Sequence, residues 1–368
     1  MKLLPLFLLL TLPAVVQAQF TFTTNSDNTI TITRYTGSNS IVVIPDTING
    51  YPVTSIGTYA FVYDFSLTSI TISDNVTNIG DDAFFGTGLT DVTIPNSVLN
   101  IGSGAFANCN FPNVLIGSGV VSIGSFAFAS SGLTSVTIPN SVVDLGDDAF
   151  DECYSLTNVT VGDGVMRIGS AAFAETSLTS VTIPNNVTNI GDAAFIDCFS
   201  LTAINVDPQN SFYSSTNGVL CDKSQTTLIE FPGGLSGSYT IPGNFTNIAA
   251  GAFNDCLNLS SVTIPDSVTS IGIFAFYACQ NLTNVTIGNS IAMIDEGTFN
   301  YCTSLTSITI PDSVTNLGDG AFANCYNLTN VTIGSSVASV GNGAFAGTGL
   351  TGVSIPDSVI LSRGRRVL

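Results

Sequence analysis

Threonine recurs at a fixed spacing and gives the chain its most regular set of polar side chains. It lies in segments such as Leu133 to Ile138, where apolar and hydroxyl residues alternate as they do on a half-buried β-strand. One threonine in each segment is a candidate for contact with a partner, and the set is Thr137, Thr160, Thr182, Thr263, Thr286, Thr309 and Thr332. The alternative is that threonine simply suits the exposed side of a strand.

The eight cysteines could form disulfides or remain thiols. Seven of them lie three residues after a recurring phenylalanine: Cys109, Cys153, Cys198, Cys256, Cys279, Cys302 and Cys325. Threonine or serine occupies the same place in other copies, which favours a buried column of free thiols. In an exported protein the alternative is a disulfide between adjacent copies, such as Cys279 with Cys302.

The remaining polar residues argue against catalysis. The chain has no histidine, which removes Ser-His-Asp and Cys-His mechanisms and histidine-bound metals. The pairs Asp81-Asp82 and Asp147-Asp148 could bind Ca²⁺, but aspartate-rich turns in water are the favoured interpretation. With 26 acidic residues against seven basic ones, the chain cannot neutralise a nucleic-acid backbone. We therefore expect no catalytic residue, no cofactor and no metal, and we predict that the protein is not an enzyme.

One repeated unit must position these residues. Residues 136–158 read VTIPNSVVDLGDDAFDECYSLTN, and residues 308–330 read ITIPDSVTNLGDGAFANCYNLTN. Copies follow each other at 22 or 23 residues through most of the chain. A single unit cannot bury its own apolar side chains, but stacked units can. The sequence therefore predicts a β-rich repeat solenoid with parallel strands and short helical turns, in which phenylalanines such as Phe150 and Phe173 touch.

Departures from the repeat define the predicted segments. Residues 1–18 resemble a signal peptide, with Lys2, an apolar run and a cleavage site near Ala18, which predicts a secreted or cell-surface protein. A β cap at 19–40 precedes repeats at 41–203, a divergent segment with a β-hairpin at 204–238, and further repeats at 239–359. The array breaks off into a basic tail at 360–368. No second apolar run is long enough for a membrane span, so we expect no membrane insertion.

The repeat resembles a known family. The spacing Leu133-x-x-Val136-x-Ile138 is similar to the opening of the leucine-rich repeat consensus. Its continuation, I-P-x-S-V-T-x-I-G-x-x-A-F-x-x-C, resembles the BspA-like branch over residues 41–359. The resemblance implies a leucine-rich-repeat right-handed superhelix in a secreted or surface protein, and relatives of this branch bind host or matrix proteins in adhesion. The family has no shared catalytic residues to carry over.

Three functions follow as hypotheses. The leading one is protein–protein interaction or adhesion through a concave strand face, with an extracellular or cell-surface protein as the partner. The divergent segment interrupts the periodic surface and could supply specificity, with Tyr213, Lys223 and Phe231 as candidates. The alternatives are a structural spacer or matrix component without a specific ligand, and a carbohydrate-binding or carbohydrate-active protein, whose catalysis would need a carboxylate pair in a groove.

Overall fold

A computed structural model of the protein describes residues 19–359. The predicted signal peptide and basic tail lie outside these residues. The described chain divides into two compact units, one made of residues 19–176 and 189–194, the other of residues 177–188 and 195–359. Each unit is a stack of short coils held together by parallel strands.

Strands make up all of the regular secondary structure in residues 19–359. The first fifteen are β1 (Phe20–Thr24), β2 (Ile30–Tyr35), β3 (Ile41–Val43), β4 (Thr47–Ile48), β5 (Tyr51–Ile56), β6 (Ser69–Thr71), β7 (Asn78–Ile79), β8 (Val92–Ile94), β9 (Asn100–Ile101), β10 (Val114–Ile116), β11 (Ser122–Ile123), β12 (Ser135–Thr137), β13 (Asp144–Leu145), β14 (Asn158–Thr160) and β15 (Arg167–Ile168). The others are β16 (Ser180–Ile183), β17 (Asn189–Ile190), β18 (Ala203–Val206), β19 (Tyr213–Thr216), β20 (Val219–Asp222), β21 (Thr227–Glu230), β22 (Gly237–Thr240), β23 (Asn247–Ile248), β24 (Leu259–Thr263), β25 (Ser270–Ile271), β26 (Asn284–Thr286), β27 (Met293–Ile294), β28 (Ser307–Ile310), β29 (Asn316–Leu317), β30 (Asn330–Ile333) and β31 (Ser339–Val340).

A typical coil has three parts. A face strand such as β12 carries the Val-Thr segment, and a corner strand such as β13 ends at the residue before the glycine of the Ile-Gly or Leu-Gly pair. The turn segment follows that glycine and contains the Ala-Phe pair. Equivalent strands pair in parallel and in register, so that Val136 lies opposite Val159 and Leu145 opposite Ile168. Their side chains are buried, which gives each unit shared apolar columns.

In the first unit the corner strands join one long sheet, in the order β1-β2-β5-β7-β9-β11-β13-β15-β17. Its face strands pair as β3-β6, β8-β10 and β12-β14. In the second unit the corner strands pair as β21-β23-β25 and β27-β29-β31, and the face strands as β16-β18, β22-β24-β26 and β28-β30. These pairings confirm the predicted repeat solenoid with parallel strands.

The recurring phenylalanines form a stacked column in each unit. In the first unit, neighbouring rings from Phe61 to Phe173 have centroids 4.9–5.5 Å apart. Phe150 and Phe173 are 5.5 Å apart with planes only 2° from parallel, so the predicted contact is confirmed. From Phe231 to Phe345 in the second unit, the distances are 4.5–5.4 Å. Each buried ring of this kind removes a large apolar area from water.

The turn segments are not helical, although short helical turns were expected. The N–H groups of Asp82, Phe84 and Gly86 donate to carbonyl oxygens of the next coil at 2.8–2.9 Å, and the residues between them donate three residues back. Successive residues therefore alternate between bonds to the next coil and bonds within their own coil. Two residues in each such turn, for example Asp148 and Glu152, take a positive φ near 55°. This alternation excludes an α-helix, in which each N–H group donates to the carbonyl oxygen four residues earlier in the same segment.

An antiparallel hairpin precedes the first coil. Strand β1 pairs with β2, and β2 continues in parallel with β5. The rings of Phe20 and Tyr35 are buried, and Tyr35 stacks on Phe61 at 5.3 Å. The hairpin thus closes the apolar column of the first unit and keeps Phe61 from water.

Candidate functional site: the outer side of the face strands

The threonines proposed as a binding face are all exposed. Each lies on the outward side of a face strand, at its last or second-to-last residue: Thr137, Thr160, Thr182, Thr263, Thr286, Thr309 and Thr332. Parallel pairing brings them together within each unit, with Thr137 opposite Thr160, Thr263 opposite Thr286 and Thr309 opposite Thr332. Thr182 lies opposite Asn205. We call these positions the threonine column of each unit.

A second set of threonines, three residues earlier in the repeat, has a different role. The hydroxyl of Thr157 donates to the carbonyl oxygen of Thr134 at 3.2 Å, and that of Thr283 donates to the carbonyl oxygen of Ser260 at 2.9 Å. These hydroxyls link one coil to the preceding one. Within residues 19–359, by contrast, no hydrogen bond involves the hydroxyls of the threonine column, so those groups can bond to a partner.

Apolar side chains replace threonine in two coils of the first unit. Val43 and Leu115 occupy the same outward position as Thr137, and their side chains are 56% and 65% exposed. Ile41, two residues before Val43, is 66% exposed. These apolar side chains are available for contact with another molecule. The sequence analysis did not identify these side chains, because it selected only the copies that have threonine at this position. The replacement of threonine by Val43 and Leu115 is nevertheless visible in the sequence.

A depression of about 710 Å³ lies over β6, β8 and β10. We call it the face groove, and its outward lining includes Thr71, Asp74, Asp91, Thr93, Asn96 and Leu115. Asp74 and Asp91 are exposed, and none of the three cations between residues 19 and 359 lines the groove. The face groove therefore combines an apolar side chain, free hydroxyls and negative charge.

The divergent segment forms a three-stranded antiparallel arrangement, β19-β20-β21, whose last strand pairs in parallel with β23. Of the three residues proposed for specificity, Lys223 is exposed, and its Nζ donates to the carbonyl oxygen of Pro208 at 3.1 Å. Tyr213 is half-buried at the start of β19. Phe231 is only 4% exposed, because its ring stacks on Phe253 at 4.8 Å as part of the phenylalanine column. It can influence specificity only through the core, not by direct contact.

Glu230 lies at the end of β21 and was not among the candidate site residues predicted from the sequence. Its Oε1 accepts a hydrogen bond from the N–H of Phe195 at 3.0 Å. In regular coils that N–H donates to a backbone carbonyl, as Phe173 does to Ala194. Burial raises the pKa of Glu230 to about 7, against the opposing effect of the Phe195 N–H. The carboxyl thus completes the backbone hydrogen bonding where the divergent segment replaces a regular turn segment.

The aspartates at the corners also connect coils. The Oδ1 of Asp81 accepts from the N–H of Ser103 at 2.9 Å, and the Oδ1 of Asp147 accepts from the N–H of Ser170 at 2.9 Å. Asp147 and Asp144 both contact Arg167. In the part of the chain that the structure describes, no three acidic or cysteine residues converge to hold a metal ion.

All eight cysteines are buried, and none of them forms a disulfide within residues 19–359. The thiols of Cys279, Cys302 and Cys325 donate to the carbonyl oxygen of a phenylalanine in the preceding coil at 3.0–3.2 Å. Burial raises the pKa of Cys153 to about 11 and raises that of Cys302 as well. A neutral thiol enclosed in this way is a poor nucleophile. These side chains pack in the core, and their thiols are not exposed to react at the surface.

A family model described as "BspA type Leucine rich repeat region (6 copies)" matches residues 54–174, 143–244 and 246–362. A leucine-rich cell surface protein of Faecalibacterium prausnitzii is similar in structure and sequence, with a TM-score of 0.78, 37% identity, and coverage of 91% of this chain and 94% of that one. A leucine-rich repeat protein of Bacteroides ovatus has a TM-score of 0.63 and 27% identity, with coverage of 89% and 91%.

The pneumococcal vaccine antigen PcpA shares the fold, with a TM-score of 0.71 and 23% identity over 92% of this chain and 90% of that one. Among curated protein sequences there is no match to the chain. None of the secondary structure between residues 19 and 359 is a helix of the length and hydrophobicity that a bilayer crossing requires.

Proposed function

Since the chain belongs to the BspA-type leucine-rich repeat family, we propose that it is a non-enzymatic secreted or cell-surface protein that binds another extracellular protein through its face strands. The segment at residues 1–18 would direct its export and be removed near Ala18. The similarity to a bacterial cell surface protein at 37% identity supports this location.

The observation that carries the proposal is the difference between the two sets of threonines. Hydroxyls such as that of Thr157 are used within the solenoid, whereas those of the threonine column make no hydrogen bond in the described residues. A regular row of unbonded hydroxyls beside exposed Leu115 offers polar and apolar contacts on one surface. Protein interfaces combine such a mixture, with an apolar centre and hydrogen bonds around it.

Exposed Lys223 in the divergent segment adds a cation to a surface that is otherwise almost without positive charge. Tyr213, on the neighbouring strand, is half-buried. We propose that these two residues contribute to partner specificity, since charge complementarity discriminates between partners more than it adds affinity.

The test is a binding assay of the mature array against a panel of purified extracellular and matrix proteins. The variant L115K/T137K places two long charged side chains on the face strands of the first unit. The matched control is V121K/V143K, because Val121 and Val143 are 43% and 40% exposed in the same unit but lie beside corner strands. We expect the face variant to lose about tenfold or more in affinity and the control to bind normally.

A structural spacer gives the opposite result. If no protein of the panel binds the wild-type array, or if both variants bind equally well, the face strands are not an interface and the spacer function is favoured.

A further inference from the structure

The turn segments of the first unit contain a pocket that the proposed function does not use. It has a volume of about 410 Å³ and lies among the turn segments, away from the face strands. We call it the turn-face pocket, and its main lining residues are Asp82, Phe85, Gly104, Phe126, Asp151 and Glu152. It therefore combines two aromatic rings with three carboxyl groups.

Departures from the repeat create the pocket. Counted from the corner glycine, Asp82, Gly104 and Phe126 occupy the same position in three successive coils, and all three have a positive φ of 50–60°. The glycine places no side chain of its own between the other two. A Cβ at Gly104 would lie 2.2 Å from the Oδ1 of Asp82, so the carboxyl group extends over this glycine.

A second column of equivalent positions has the same arrangement. Phe85 and Asp151 lie at its two ends, with Ala107 and Ala129 between them. The small central residues form the floor, and the ring and the carboxyl group form opposite walls. Phe126 is 47% exposed, so its ring is available at the rim.

The pocket lacks positive charge. None of Arg34, Arg167 and Lys223, the cations between residues 19 and 359, lines it. Burial, together with the neighbouring carboxylates Asp148, Glu152 and Glu175, raises the pKa of Asp151 to about 6. Burial also raises the pKa of Asp82. Carboxyl groups that repel each other in this way are stabilised by an incoming cation.

The pocket fits an organic cation better than a metal ion. A metal ion needs several oxygen ligands around one point, and no three such residues of the described chain converge. Aromatic rings, by contrast, attract guanidinium and ammonium groups, and the planar guanidinium also pairs with carboxylates. Asp81, Asp148 and Glu175 extend the negative surface beyond the pocket, which favours a segment with several positive charges over a small single cation.

We propose that the turn-face pocket binds an arginine side chain presented by a basic segment of a partner protein. The guanidinium stacks against Phe126 and pairs with the carboxylates of Asp151 and Glu152, which lie in the next coil. Neighbouring positive charges of the same segment contact the acidic residues outside the pocket. This second surface acts independently of the face strands.

The test measures fluorescence anisotropy of labelled Gly-Ser peptides that carry three spaced arginines, lysines or glutamates, with the full array. We expect the arginine peptide to bind more tightly than the lysine peptide, and the glutamate peptide not to bind. Phe126→Ala should weaken binding of the arginine peptide by about fivefold. The matched control is Phe274→Ala, because Phe274 has the same position and a φ of 54° in the second unit but lies outside the pocket.

The variant Asp151→Asn separates a binding role from a folding defect. At pH 8 the carboxylate of Asp151 is charged, and this charge destabilises the folded protein because burial and neighbouring carboxylates disfavour it. Asparagine carries no charge, so the variant should have a higher melting temperature at pH 8. It should also have a lower affinity for the arginine peptide. Equal binding of the arginine and lysine peptides would overturn the proposal. So would an equal loss of affinity from Phe274→Ala and Phe126→Ala, or unchanged affinity of Asp151→Asn.

Discussion

The substitution Glu230→Gln tests whether the divergent segment encloses a carboxyl group that is costly to ionise. The glutamine amide keeps an oxygen that can accept the hydrogen bond from the N–H of Phe195, but it carries no charge at any pH. The variant therefore removes the ionisation of this residue and little else.

The expected effect depends on pH in a defined direction. Folding raises the pKa of Glu230 from 4.5 to about 7, so between these values the folded protein holds a proton that the unfolded chain has lost. The stability contributed by this residue is complete below about pH 4.5 and is lost as the pH rises through about 7. At pH 8 the wild-type protein bears the full cost of the buried charge.

The size of that cost follows from the shift in pKa. From 4.5 to about 7, at about 1.4 kcal/mol per unit, it is about 3 kcal/mol. We expect Glu230→Gln to raise the free energy of unfolding by about this amount at pH 8 and to leave it unchanged near pH 4.5. If all of the described residues unfold together, the melting temperature at pH 8 should rise by about 4 °C.

Calorimetric melting temperatures between pH 4.5 and 8.5 provide the assay. Glu296→Gln is the matched control, because Glu296 is an exposed glutamate of the same unit, and its variant should follow the wild-type curve. A Glu230→Gln variant that is less stable than the wild type at pH 8, or that differs from it equally at all pH values, would refute the reasoning.

Three other substitutions or reactions test the core. Phe150→Ala should lower the free energy of unfolding by about 3–5 kcal/mol in equilibrium denaturation, since the ring is fully buried, and a loss below about 1 kcal/mol would contradict the stacked column. The eight thiols, including Cys302, should not react with a thiol reagent at pH 8 until the protein is unfolded; rapid reaction of the native protein would show that they are accessible. Ala171→Gly should add about 1 kcal/mol of stability because Ala171 has a φ of 50°, whereas Ala172→Gly, at the next position, should be destabilising; equal effects would contradict the turn geometry.

The repeat predicted the architecture because its apolar positions recur once in each coil. A phenylalanine that returns every 22 or 23 residues must lie above its equivalent, and Phe150 and Phe173 do so. The same argument placed the cysteines in a column, but it left their chemistry open. Their bonds to phenylalanine carbonyl groups depend on distances of a few tenths of an ångström, which a sequence pattern does not contain.

Surface roles were harder to predict, because the repeat consensus shows which positions are exposed but not which contacts their side chains make. The exposure of Thr137 and Thr134 follows from strand alternation, but only the register of neighbouring coils shows which hydroxyls find a carbonyl group. Phe231 was proposed for specificity because it lies in an irregular segment. The hairpin of β19 and β20 takes up the extra length, however, and returns Phe231 to the core.

Photo-crosslinking from single positions on intact cells tests most directly whether the face strands are the interface. A benzophenone amino acid at Leu115 would lie on the outer side of β10, and one at Val121 would lie beside the corner strand of the same coil. We predict that the Leu115 probe crosslinks a protein partner and that the Val121 probe does not. Crosslinks from Val121 alone, or in equal yield from both positions, would contradict binding through the face strands.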